Sequence, residues 1–287
     1  MRAQGDERES RKSDPTVGDP KLALIRAAVT NLNYARQYLD KFLHWADYIL
    51  VTHYRAFASA MTHEKDSRVI AAADFHLVDS WLSVDEGNKG PSAAARRRLR
   101  AEAIYNRSVL LASPPLSEFD EAEKGYRRVL LLTGADADTE GLRIATTFGL
   151  AMLQAQMALT LDGKAFDASR AKFMQQAQVL SVTLDDVQLG LQRQFSVAQL
   201  KLNEFLQKAT VVPSTSMFRL KKRETSQETV DQQQKDRLMR PITKFQKDQA
   251  IIVQMRERLT AVEAALDSKE RRSESWESGG DDLEQPI

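Results

Sequence analysis

The stretch FDASRAKFMQQAQVLSVTLDDVQLGLQRQFSVAQLKLNEFLQKATV, Phe166–Val211, decides the fold class. It holds no proline, the residue that most strongly breaks a helix interior. Its apolar residues recur at Phe173, Ala177, Leu180, Leu184, Val187 and Leu191, then at Phe195, Ala198, Leu202, Phe205 and Ala209. Steps of four and three alternate, with one extra step of four between Leu191 and Phe195. A strand would alternate in twos. This pattern predicts one long helix with a coiled-coil-type seam carrying a stutter.

The same reading extends outward. From Lys21 to about Met61, Ile25, Val29, Leu32, Ala35, Leu39, Phe42, Ala46, Ile49 and Phe57 repeat at helical spacing without a glycine or proline, predicting a single long helix. A second helix, about 66–84, carries Val69, Ile70, Ala73, Leu77 and Trp81. Asp85-Glu-Gly-Asn-Lys-Gly-Pro91 is a loop by its turn chemistry. Ser92, Ser117 and Thr139 are expected to start the helices that follow. After Val211, the polar segment 212–229 contains Pro213 and the basic run Arg219–Arg223 and reads as a linker. The segment 230–272 repeats Phe245, Ile252, Leu259 and Leu266 at sevens with Met255 and Val262 between them, and Pro241 is expected to kink or start it. The expected organisation is a leader without fixed structure over 1–20, a helical body over 21–211, the basic linker, a C-terminal helix, and an acidic tail without fixed structure over 273–287.

Composition agrees with this. Glycine and proline number 12 and 8 of 287 residues, roughly 7% against a usual 12%, too few for a turn-rich sandwich or barrel. Charged residues make up 28% and apolar residues 42%, enough to form a core. Lys and Arg total 41 against 40 Asp and Glu, so net charge singles out no polyanionic partner. There is no cysteine, which excludes disulfides, thiolate metal sites and a cysteine nucleophile. Residues 1–20 lack the apolar core of a secretory signal, and Phe42–Met61 is interrupted by His44, Asp47, His53 and Arg55. The expectation is a soluble, intracellular, cytoplasmic all-α protein of antiparallel helical hairpins with no transmembrane segment.

One region resembles a known family. Tyr105-Asn-Arg-Ser-Val-Leu-Leu-Ala112, followed by Phe119-Asp-Glu-Ala122, Tyr126, Val129 and Leu130, resembles a tetratricopeptide repeat. The small Ala122 would let the second helix approach the first, while Phe119 and Tyr126 fill the space between them. Thr147-Phe-Gly-Leu150 and Met152, with Phe166-Asp167, Ser169, Phe173 and Ala177, is similar to a second copy. Phe119 and Phe166 are 47 residues apart against the family's 34, so the copies carry insertions. The resemblance covers about 96–180, within helical hairpins at about 93–182. It implies a peptide or helix bound in a groove lined by Asn106, Val109, Arg143, Leu150 and Leu153.

Catalytic chemistry finds little support. His63-Glu64 starts like the zinc motif H-E-x-x-H, but position 67 is serine. His44 and His53 lie 2.5 turns apart on opposite helix faces. Asp185-Asp186 and Asp281-Asp282 read as solvated carboxylates, and the Gly87–Ser92 loop lacks the phosphate-binding order. No enzyme activity, cofactor or metal is expected. Arg96, Arg97, Arg98 and Arg100 open a helix, where positive charge opposes the macrodipole; they read as a solvated face, or else pair with nearby acids or meet an anionic partner. Phe245, Ile252, Met255, Leu259, Val262 and Leu266 are expected to form a self-association seam. Trp276 among acids would suit a short anchor motif.

The sequence therefore predicts a non-enzymatic helical adaptor or scaffold for protein–protein interaction, assembling as a homo-oligomer. The alternatives are a membrane-associated helical dimer and a self-assembling nucleoprotein subunit. Neither nucleic acid nor acidic membrane is favoured by the balanced charge.

Overall fold

The structure is a computed structural model and describes residues 19–39, 44–84, 92–134, 137–210 and 221–278; of these, the side chains of 137, 208–210, 221–231 and 273–278 are not described. The all-α expectation holds. Among the described residues there are eight α-helices, one short 3-10 turn and no strand: α1 Pro20–Tyr38, α2 Trp45–Ala60, α3 Lys65–Ser83, α4 Ala93–Ala112, α5 Phe119–Thr133, α6 Glu140–Thr160, α7 Gly163–Thr210 and α8 Lys221–Ser278. They fall into two units, Met1–Leu150 and Ala151–Ile287, so the division lies within α6. The expected leader, loop and tail lie mostly outside the described residues.

In the first unit the predicted long helix 21–61 is two helices. Asp19 caps α1 by accepting from the Lys21 N–H at 2.9 Å, and Pro20 takes the first helical position, where its missing N–H costs nothing. The C-cap of α1, Leu39, is extended. Arg36 Nε donates to the Tyr48 hydroxyl (2.9 Å), Arg55 Nη1 donates to Asn33 Oδ1 (3.0 Å) and Arg26 donates to Glu64 (2.7 Å). Partners descend along α1 as they ascend beyond it, so the two elements run antiparallel. Polar side chains on α1 thus find partners that one straight helix would have placed out of reach.

Helix α3 is the centre of this unit. Its Ala71, Ala72, Phe75, Val78 and Leu82 are buried with Ile49 and Ala56 of α2 and Ala103 and Leu110 of α4. Each large apolar side chain of this kind is worth about 1.5–3 kcal/mol. Of the stripe read from sequence, Val69, Ile70 and Ala73 are exposed instead, while Leu77 and Trp81 are half-buried and Trp81 packs against this core. The core face was obscured because two aspartates share it. Asp74 accepts two hydrogen bonds from the Arg55 guanidinium and one, at 3.4 Å, from Arg36. Asp79 accepts from Arg100 of α4 at 2.8 Å and Arg128 of α5 at 2.6 Å. Each buried carboxylate is matched by two arginines from flanking helices, and stripping both would expose the uncompensated charge that makes broken buried pairs cost about 3–5 kcal/mol.

Two close approaches fix α4, α5 and the start of α6. A Cβ on Gly125 would stand 2.0 Å from Ser108 Oγ, so glycine sets the distance between α4 and α5; Ala122 beside it is fully buried. A Cβ on Gly149 would stand 2.9 Å from the ring of buried Tyr126. Ser92 caps α4 as expected, accepting from the Ala95 N–H. Ser117 does not cap α5. It sits at φ +51°, and α5 begins at Phe119 after Glu118, whose N–H donates to the Leu111 carbonyl at 2.7 Å. Thr139 ends the 3-10 turn before α6 and donates its hydroxyl to the Thr133 carbonyl.

In the second unit, α7 and α8 run antiparallel. Arg170 donates to Asp267 and Glu270, Arg256 to Asp185, and Phe195 stacks on Phe245 with centroids 4.5 Å apart. The predicted α7 stripe forms the inner face: Phe173, Leu180, Leu184 and Ala198 are buried, with Ala177, Val187, Leu191, Phe195, Leu202 and Phe205 half-buried. Opposite it lie Ile242, Ile252, Leu259 and Leu266, all buried. Helix α8 begins at Lys221, so 221–229, read as linker, are helical, and so are 273–278, read as tail. Pro241 lies inside the helix and does not start it. Lys269 reaches the end of α6, donating to the carbonyls of Ala158, Leu159 and Leu161, pairing with Asp162 at 3.0 Å, and lying over the Phe166 ring.

Candidate functional site

One gathering of polar groups outside these structural ion pairs lies on one side of the first unit. Tyr54 and Phe57 of α2, Tyr105 and Asn106 of α4, and Leu142 of α6 line a hollow of about 350 Å³ with His53 and Glu102. The helical pitch explains the grouping. On α2, Tyr54, Phe57 and Met61 are spaced three and four residues apart, so they form one stripe. That stripe faces outward: Phe57 is 50% and Tyr54 59% exposed. His53, one residue on, turns inward against the edge of the Phe75 ring, 5.6 Å between centroids.

The electrostatics of the hollow follow from burial. His53 is held below the usual histidine range because its ring is desolvated, with Glu102 pulling weakly the other way. Among the described residues its Nδ1 has no hydrogen-bond partner. The phenol of Tyr105 is pushed up by burial. The phenol of Tyr126, whose ring lies 6.0 Å from that of Tyr105, is pushed up further, by burial and by Tyr105. Glu102 accepts from Arg98 at 3.0 Å. At neutral pH the hollow thus presents a neutral imidazole, two phenols, an amide and one paired carboxylate beside exposed aromatic surface. That set binds by hydrogen bonds and stacking, and it holds no activated nucleophile.

The residues predicted for the groove part company here. Asn106 lines the hollow and Val109 is exposed on the same helix. Arg143 is half-exposed, 3.9 Å from Glu140 on its own helix. Leu150 and Leu153 are buried, 2% and 1% exposed, and cannot face a ligand. Their spacing on α6 marks a core face, and apolar spacing alone does not distinguish a core face from a groove.

The arginine cluster is largely internal. Arg98 pairs with Glu102 four residues on, and Arg100 is one of the two partners of Asp79. Arg96 and Arg97 line a small hollow of about 190 Å³ with Leu82, Val84 and Leu132. Pairing with nearby acids, rather than the solvated face alone, accounts for Arg98 and Arg100. The seam expected for self-association is occupied within the chain: Ile252, Leu259 and Leu266 are buried and Phe245, Met255 and Val262 half-buried on the side of α8 that meets α7. Glu64 of the partial zinc motif accepts from Arg26 and from the Ser67 hydroxyl, which hold its carboxyl below the ordinary range. Among the described residues no three His, Asp or Glu side chains are grouped to hold a metal ion, and no helix is long and apolar enough to cross a membrane. The basic run at Arg219–Arg223 and Trp276 have no described side chains.

Sequence reasoning missed His53, Tyr54, Phe57, Glu102 and Tyr105. The stripe at 54, 57 and 61 was visible, but nothing in the sequence shows that it lies beside a helix starting some thirty residues later. No family model matches the chain, and no curated protein or solved structure matches it either.

Proposed function

We propose that this chain is a non-enzymatic helical adaptor whose first unit binds a protein segment at the α2–α4 surface. The observation that carries this reading is the exposed stripe Tyr54, Phe57 and Met61 beside the hollow lined by His53, Glu102, Tyr105 and Asn106. Aromatic and methionine side chains on a rigid helix lose little entropy on binding and supply large contact area, which is the composition of binding hot spots. A partner helix or extended peptide would lay apolar side chains on the stripe and satisfy Asn106 and the imidazole of His53. The tetratricopeptide-like reading of α4 and α5 supports the proposal through the packing of Ala122 and Gly125. The groove it assigns is moved to the outer side of α2, because Leu150 and Leu153 are in the core.

The test is affinity capture from native lysate with the intact chain and with the double variant Tyr54→Glu and Phe57→Glu. A control variant, Leu131→Glu, changes a residue that is 84% exposed on α5. The adaptor reading expects specific proteins captured by the intact chain and the control, and lost with the double variant at unchanged helicity. If the double variant captures the same proteins, the α2 surface is not the binding site. Retention on acidic liposomes or RNA, with steep salt dependence and no captured protein, would support the membrane or nucleoprotein alternatives instead.

A further inference from the structure

Helix α7 carries a second apolar stripe, on the face turned away from α8. Val179, Val182, Leu189, Val197 and Leu200 are between 52% and 63% exposed. Each lies two residues beyond an inner-face residue (Ala177, Leu180, Val187, Phe195 and Ala198), hence about 200° round the helix. The stripe spans about 32 Å at 1.5 Å per residue. Two charged residues interrupt it, Asp186 and Arg193, both exposed and neither paired within the chain among the described residues.

The order of these residues is self-complementary. Val179 and Leu200, Val182 and Val197, and Asp186 and Arg193 are each equidistant from a point between Leu189 and Gly190. We infer that this face pairs with the same face of a second copy of the chain, antiparallel, about a two-fold axis at that point. Two copies so arranged put valine on valine, valine on leucine, and Asp186 of each copy against Arg193 of the other. Leu189 of both copies flanks the axis. Gly190 would let the backbones approach there: a Cβ at Gly190 meets nothing within 4 Å among the described residues, and glycine is the poorest helix former after proline. The interface is isologous, as a two-fold requires, and the charged layer selects this register over shifted or parallel ones, which would bring like charges together or leave both ions unpaired among apolar neighbours. This dimer uses neither the α8 seam nor the α2–α4 hollow.

The experiment uses the full chain in sedimentation velocity from micromolar to hundreds of micromolar. The intact chain is expected to dimerise. Asp186→Arg and Arg193→Asp, each placing like charges opposite, are expected to weaken the dimer about tenfold or more, and the two together to restore it. Because the natural chain has no cysteine, register can be read by disulfide formation. Val182→Cys mixed with Val197→Cys should cross-link, while Val182→Cys alone should not, its two copies lying about 22 Å apart along the axis. Restoration by the double swap also shows that the single variants were folded. A chain that stays monomeric, a dimer indifferent to both single swaps, or Val182→Cys linking to itself as readily as to Val197→Cys overturns the inference.

Discussion

His53 is the residue whose surroundings have the clearest consequence in solution. It is 7% exposed, set edge-on to Phe75, with no partner for Nδ1 among the described residues. Burial lowers its pKa from the unfolded value of about 6.5. The native state therefore binds fewer protons than the unfolded state once pH drops below about 6.5. Above that value both states carry a neutral imidazole and the group adds no pH dependence. As pH falls toward the depressed native pKa, the unfolded chain takes the proton first, and stability declines by at most about 1.4 kcal/mol per pH unit. Urea unfolding of the intact chain and of His53→Gln from pH 7.5 to 5 should give a stability difference that is flat at the top of the range and shifts against the intact chain below about 6.5. A difference that stays flat to pH 5 would mean that the imidazole is solvated or compensated by Glu102. A histidine at position 53 is visible in the sequence. Its ring packs against Phe75, which only the fold brings to it.

At the scale of elements, the sequence was most legible where one helix presents a single unbroken apolar stripe. The 4-3 pattern of α7 named its inner face correctly from Phe173 to Phe205, Ala209 lying outside the described side chains, and the sevens of α8 named Ile252, Leu259 and Leu266. What such a pattern leaves open is the partner, because an apolar stripe fits a neighbouring helix of the same chain as well as a second copy. The break after Tyr38 was invisible for a different reason: the stretch has no glycine or proline, and its cause is the long-range demand of Arg36, Asn33 and Arg55 for partners. Helix α3 was misread because Asp74 and Asp79 stand on the core face, where a hydrophobicity pattern expects apolar residues. Ends of helices are similarly settled from afar, and Lys269 is the clearest case. From α8 it donates to the carbonyls of Ala158 and Leu159 in the last turn of α6 and of Leu161 just past it, where a helix runs short of internal donors. Its positive charge also faces the negative end of that helix dipole. Lys269→Met keeps an apolar stem near Phe166 and removes all the donors. It should cost about 1–3 kcal/mol and speed amide exchange in the last turn of α6. A loss below about 0.3 kcal/mol would show that water replaces the ammonium without penalty.

Across the whole molecule, the unequal depth of burial implies unequal local stability, and this follows from the first unit taken alone. Helix α1 has no buried residue. It is held by an ion pair between Arg26 and Glu64, both about half exposed, which contributes little, and by the reach of Arg36 and Asn33 toward Asp74 and Arg55. Helix α3 has seven buried residues, the two charge-paired aspartates among them. Detaching α1 uncovers only half-buried apolar residues and leaves Asp74 with the bidentate Arg55, whereas opening α3 dismantles the core between α2 and α4 and strips the partners from both carboxylates. Local opening of α1 should therefore be far cheaper than opening of α3. Hydrogen exchange on the full chain under native conditions should find α1 amides protected at least about 100-fold less than those of Ala71–Leu82, a difference of about 2.7 kcal/mol in opening free energy. Asp74→Asn should narrow that gap by weakening α3 more than α1, since the amide cannot satisfy two guanidinium groups. Equal protection of α1 and α3 would mean that the polar contacts of Arg36 and Asn33 bind α1 as firmly as a buried face would, and that the unit opens as one.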